Sequence, residues 1–217
     1  EPREDGSRKG GIGSRAFESH YQGRPTAEVG NILKWFPTYD QVPALKMKLQ
    51  RWDTAFSDKQ TADYSACVNL GVGQDNNIYV LSAWRDRLEM PELIQAMKAL
   101  AEREKPDYII VEETATALRV VEQVKKLTML PIITDRQKMR VDKVARVNAA
   151  APEFESGRVL FPARWHRNYG PWVEDVIEEC KGFPFGAHDD YVDALCCGVM
   201  DCVERVDRQT PMRYRIA

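Results

Sequence analysis

From Leu45 to Asp53 apolar and polar residues alternate (LKMKLQRWD), the period of a strand with one buried face. Tyr64 to Gly73 (YSACVNLGVG) predicts a second strand and Ile78 to Arg85 (IYVLSAWR) a third. Gln74-Asp75-Asn76-Asn77 between them has hairpin chemistry, so the three are expected to form an antiparallel meander. The period then changes. Leu93, Ile94, Met97 and Leu100 share one face of a helix spanning Pro91 to Glu104, and the proline suits a first turn. Asp107 to Val111 is a short apolar strand of the kind buried on both faces. A helix (Ala115 to Leu127), another short strand (Leu130 to Thr134) and a helix ended by Gly157 (Val141 to Ser156) follow. Val159 to Phe161 is a brief extended stretch, Trp172 to Cys180 an amphipathic helix, and Asp189 to Val206 a long closing helix. The expected class is α/β: a mixed five-stranded sheet, three antiparallel strands and then parallel ones, flanked by helices.

The stretch before the first strand breaks this patterning. Residues 1–45 carry Gly6, Gly10, Gly11, Gly13, Gly23 and Gly30 and read as an irregular arm or interdomain linker. Phe17, Tyr21, Trp35, Phe36 and Tyr39 lie within it, so part is expected to pack on the body. The expected organisation is an arm over 1–45, a body over 46–207 and a loose tail over 208–217.

Composition narrows the function classes. Hydrophobic residues make up 43% and charged residues 29%, the balance of a water-soluble domain, and no apolar run is long enough for a bilayer. The opening residues, Glu1-Pro2-Arg3-Glu4-Asp5, do not have the apolar run of a signal peptide, and the missing initiator Met is what a fragment of a longer chain would show. The five cysteines are odd in number and lack paired metal-ligand spacing, so reduced, buried thiols are expected rather than a disulfide framework or a zinc site. A net charge of -2 counts mildly against a nucleic-acid binder, although a carboxylate metal site lowers net charge without removing local basic patches. No GxxxxGK[ST] loop is present to cradle ATP phosphates.

The candidate chemistry lies in acids at element ends. Asp53 closes the first strand, Glu112 and Glu113 follow Ile109-Ile110-Val111, and Asp189, Asp190 and Asp193 open the last helix. Clustered carboxylates repel and bind protons more tightly, a penalty that a divalent cation removes. Hard oxygen donors of this kind suit Mg²⁺ or Mn²⁺. Asp189 or Asp190 and Asp193 are about one helical turn apart and share a side. If the first strand lies beside the fourth, Asp53 and Glu112 meet at neighbouring ends. Side chains alternate along a strand, so one of Glu112 and Glu113 reaches the site, and Glu112 is preferred. Acids from three elements match a two-ion phosphodiester site. Ordinary helix capping also accounts for an Asp at position 189 or 190.

Taken in order, these segments resemble the C-terminal nuclease domain of the large subunit of tailed-phage terminases. The matching pieces are Arg51-Trp52-Asp53-Thr54-Ala55, Tyr64-Ser65, Trp84 to Leu93 (WRDRLEMPEL), Ile110-Val111-Glu112-Glu113, Phe154 to Val159 (FESGRV) and Gly186 to Leu195 (GAHDDYVDAL). His20 to Pro25 (HYQGRP) is similar to the family's interdomain segment, so the likeness spans about 15–206. It implies an RNase H-like fold, two Mg²⁺ or Mn²⁺ ions, cutting of concatemeric duplex DNA in the host cytoplasm, and a portal protein and small terminase subunit as partners. It places metal ligation on Asp53, Glu112, Asp189 and Asp190, with Asp193 nearby. The family's frequent Ser-Gly after the second acid is replaced here by Thr114-Ala115-Thr116-Ala117. A RuvC-like resolvase, a transposase-type domain and a non-catalytic DNA- or portal-binding domain are the alternatives.

His188 is a candidate for proton transfer beside the acids, with a surface helix-capping histidine as the plainer reading. Lys138, Arg140, Lys143 and Arg146 form a basic run suited to DNA phosphates or simply to solvent. Arg164, Trp165, His166 and Arg167 read first as an exposed loop, and Trp52 as core.

Overall fold

The computed structural model describes residues 32–54, 64–135 and 141–209. One seven-stranded sheet contains β1 (Thr38–Tyr39), β2 (Leu45–Asp53), β3 (Ser65–Gly73), β4 (Ile78–Asp86), β5 (Tyr108–Glu112), β6 (Ile132–Asp135) and β7 (Val159–Pro162). The helices among the described residues are α1 (Met90–Glu104), α2 (Ala115–Leu127), α3 (Lys143–Glu155), α4 (Pro171–Gly182) and α5 (Asp190–Gln209). The strand order is β1-β7-β4-β3-β2-β5-β6. β2, β3 and β4 form the expected antiparallel meander, and every other pairing is parallel.

The sheet has two strands more than the five expected. β7 is the brief stretch after Gly157, and β1 comes from the segment read as an arm. Neither is long enough to display a two-residue period, and both form where β4 and then β7 offer unpaired edge groups. Ile32, Leu33 and Tyr39 are buried, and the Tyr39 hydroxyl donates to the Val80 carbonyl at 3.0 Å. The end of the arm is thus part of the body. The tail beyond residue 209 lies outside the described residues.

Strand alternation assigns side chains to two cores. Met47 and Leu49 of β2, Ala66, Val68 and Leu70 of β3 and Ile110 of β5 meet α3, α4 and α5. Trp52, Cys67, Ile109 and Val111 meet α1 and α2 on the opposite face. β3 is buried along its whole length because helices cover both of its faces. Each fully buried aliphatic side chain contributes about 1.5–3 kcal/mol. Trp52 is core, as expected, and its indole N–H donates to Gln50 Oε1 at 2.8 Å. The five cysteines are buried thiols, none of them in a disulfide.

α5 lies across β2 and β3 at close range. A Cβ on Gly198 would stand 2.9 Å from Leu70 Cδ1 and 3.2 Å from Arg51 Cβ, so only a residue without one fits without displacement. Arg51 is 1% exposed, and its Nη1 donates to Asp201 of α5 and Asp135 of β6, each at 3.2 Å. A buried guanidinium is stable only with such partners, and here they tie the last helix to the sheet.

Candidate active site

β2 and β5 run parallel, with Trp52 beside Val111, and each strand ends one residue later in an acid: Asp53 and Glu112. By the two-residue period, Asp53 shares the face of Leu49 and Arg51, and Glu112 the face of Ile110. That is the face covered by α5, whose first turn carries Asp190 and Asp193. Three elements distant in sequence therefore bring acids to one end of the sheet. Asp53, Asp189 and Asp190 line a cleft of about 480 Å³, with Thr54, Tyr64, Arg87, Lys143 and His188 among its other walls.

The crowding has an electrostatic signature. The Asp53 carboxyl is pushed up from 3.8 to about 7, first by burial, then by the negative charges of Asp193 and Glu112. Lys143 offsets part of this. Asp190 is also pushed up, chiefly by burial, with Arg85 acting in the opposite direction. Cations are interleaved with the acids. Arg146 Nη1 donates to Glu112 at 3.4 Å and its Nη2 to Asp193 at 2.5 Å. Lys143 Nζ donates to Asp189 at 2.9 Å.

Among the described residues, no three His, Cys, Asp or Glu side chains are gathered closely enough to hold an ion as they stand. Arg146 bridges two of the carboxylates concerned. The donor set still suits a hard divalent cation: all are carboxylate oxygens, and Asp53, buried and beside the negative Asp193 and Glu112, binds a proton tightly. Asp53, Glu112, Asp190 and Asp193 are the side chains placed to meet that demand. Glu113 follows Glu112 out of the strand, and its N–H donates to the Asp135 carbonyl.

A supporting layer that the sequence did not reveal fixes the start of α5. Glu179 of α4 is buried, and its Oε1 accepts the N–H groups of Tyr191 at 2.6 Å and Val192 at 3.1 Å. It thereby caps α5 from outside the helix, satisfying donors that a helix N-terminus leaves open. Its other oxygen pairs with Arg85 Nη1 at 2.5 Å, and the same nitrogen lies 3.6 Å from Asp190. The Arg85 guanidinium stacks between the rings of Tyr64 and Tyr191, at 4.7 and 4.5 Å. Asp190 is thus held through Arg85 by a carboxylate eleven residues upstream.

His188 is exposed at the cleft rim, with the Tyr64 ring edge-on at 5.3 Å. Lys143 and Arg146 of the basic run are paired with the acids, while Lys138 and Arg140 lie outside the described residues. In the loop after β7, Arg164 pairs with Glu174, His166 packs on Tyr39, and Trp165 is 77% exposed. None of these three lines the cleft.

Comparison with known proteins places this geometry. A family model described as the terminase RNaseH-like domain matches residues 50–201. No curated protein matches. Among solved structures, the large terminase nuclease of thermophilic phage G20c with bound zinc superposes with a TM-score of 0.53 at 16% identity, covering 78% of this chain and 94% of that one. The same nuclease with bound magnesium also gives 0.53 at 16% identity, covering 78% and 93%. The K428A nuclease domain of the large terminase subunit gp2 of bacterial virus Sf6, with manganese and beta-thujaplicinol, gives 0.53 at 10% identity, covering 72% and 89%. At these identities the structural likeness establishes the fold, and the family model establishes the family.

Proposed function

We propose that this chain, which belongs to the terminase RNaseH-like domain family, is the metal-dependent endonuclease of a viral DNA-packaging enzyme, hydrolysing duplex DNA phosphodiesters to cut concatemeric genomes. The observation that carries the reading is the side-by-side placement of Asp53 and Glu112 on the sheet face beneath the acidic first turn of α5. The structural relatives include forms with zinc, magnesium and manganese, which supports a divalent ion here, with Mg²⁺ or Mn²⁺ best suited to all-oxygen donors.

Asp53, Glu112 and Asp190 would hold the ions, two in number, with Asp193 completing the set once its contact with Arg146 is exchanged. When bound, such ions polarise the scissile phosphate and make water nucleophilic near neutral pH. The chain's own part is placement. Arg85 and Glu179 fix the Asp190 end of α5. Arg146 and Lys143 hold the carboxylates of Asp193, Glu112 and Asp189 in place through their ion pairs. His188, braced by Tyr64 at the rim, is positioned to pass a proton between the cleft and solvent. A portal protein and a small terminase subunit are the partners that family membership suggests. Among the described residues no helix is long and apolar enough to cross a membrane, and the host cytoplasm is the proposed location.

Nicking of supercoiled plasmid tests the reading. The parent should cut with Mn²⁺ or Mg²⁺ and stop in EDTA, and Asp53→Ala should be at least about a hundredfold slower. Cutting that survives EDTA, or a fully active Asp53→Ala, rejects it.

A further inference from the structure

Among the described residues that line the cleft, one cation is not used by the acids. Arg51 is neutralised by Asp135 and Asp201, Arg85 by Glu179 and Asp190, Lys143 by Asp189, and Arg146 by Glu112 and Asp193. Arg87 lines the same cleft, and among the described residues its guanidinium has no carboxylate partner. It is held by a ring instead. Its Cζ lies 4.2 Å over the Tyr64 centroid, and Tyr64 is itself fixed by Arg85 on a ring face and His188 at the edge. A guanidinium held over an aromatic face by its carbon is fixed in place without using its N–H donors on a carboxylate, and those donors suit a phosphate, which a guanidinium can grip with two parallel hydrogen bonds.

We propose that Arg87, braced on Tyr64, is the phosphate clamp that seats a DNA strand at the mouth of the acidic cleft. The proposal rests on the DNA-cutting function. An acidic cleft repels a polyanion, so a substrate entering it needs fixed positive charge at the rim, and among the described residues Lys143 and Arg146, nearer the acids, are already paired with them. The assignment moves the DNA contact away from Lys143 and Arg146 to the loop that follows β4.

Fluorescence anisotropy on a labelled DNA duplex tests it, with Ca²⁺ replacing Mg²⁺ to hold back cutting and the salt concentration varied. Arg87→Ala should bind about tenfold more weakly and lower the slope of log affinity against log salt by about one, the loss of one phosphate contact. Arg87→Lys should keep the slope and lose part of the affinity. Tyr64→Leu should likewise keep the slope while binding more weakly, because the charge remains but its brace is gone. The Mn²⁺ binding isotherm of Arg87→Ala, measured by calorimetry, should match the parent, which also reports that the variant is folded. An unchanged affinity and slope in Arg87→Ala overturns the clamp even where Asp53→Ala abolishes cutting, and the nuclease function then stands. A parent that neither binds nor cuts duplex DNA overturns both.

Discussion

Replacing Asp53 with Asn should stabilise the metal-free protein at neutral and alkaline pH. The carboxyl of Asp53 ionises near 7 in the folded chain, against 3.8 for an ordinary aspartate, first because it is buried and then because Asp193 and Glu112 repel its charge. A folded-state value above the unfolded one means that the neutral form is favoured by folding. The associated stability is complete below 3.8 and is lost as pH rises through about 7. At about 1.4 kcal/mol per pH unit the gap corresponds to about 4 kcal/mol, and water at the cleft mouth reduces this to about 2 kcal/mol. Asn has nearly the same shape and no charge, so Asp53→Asn escapes the loss. Thermal unfolding in EDTA, followed by circular dichroism, should show the variant melting about 4–8 °C above the parent at pH 8, with the gap closing toward pH 4. Added Mn²⁺ should raise the parent's melting point and leave the variant's nearly unchanged. A variant less stable than the parent at pH 8, or a gap independent of pH, refutes the crowding argument.

Two other substitutions test how the site is held. Glu179→Ala removes the external cap of α5 and strands Arg85, a loss of about 2–4 kcal/mol by chemical denaturation; Glu179→Gln keeps one acceptor oxygen and should lose about half as much. Equal stability of all three proteins would rule out the capping role. Gly198→Ala should cost about 1–3 kcal/mol by the same measurement, because its new methyl meets Leu70 and Arg51, whereas a neutral result would mean that α5 shifts off the sheet freely.

The central features of the fold and the acids were legible because they obey local rules. Alternation over Leu45–Gln50 marked the strand that ends in Asp53, and the apolar run at Ile109–Val111 marked a buried strand whose last residue, Glu112, lies beside it. The helical spacing of Asp190 and Asp193 put them in one turn. Hidden features depend on partners far away in sequence. Arg51 and Asp201 are 150 residues apart, and Arg85 and Glu179 are 94 apart, with nothing in either neighbourhood announcing the pairing. Glu179 caps a helix to which it does not belong, so no capping box marks it. The charge run at Lys143 and Arg146 suited DNA phosphates or solvent equally because it carries no record of what faces it; packing α3 against α5 pairs both with carboxylates. β1 was too short to show a period, whereas β7 was legible as a brief extended stretch after Gly157; both pair where an edge was open beside them.

The most direct test of the shared cation site is an anomalous difference map from crystals grown with Mn²⁺. Density about 2.0–2.3 Å from Asp53 and from Glu112 or an aspartate of the first turn of α5, with Arg146 drawn off Asp193, is the predicted result. Manganese bound elsewhere, with Asp53 uncoordinated at a concentration that supports cutting, would contradict the account.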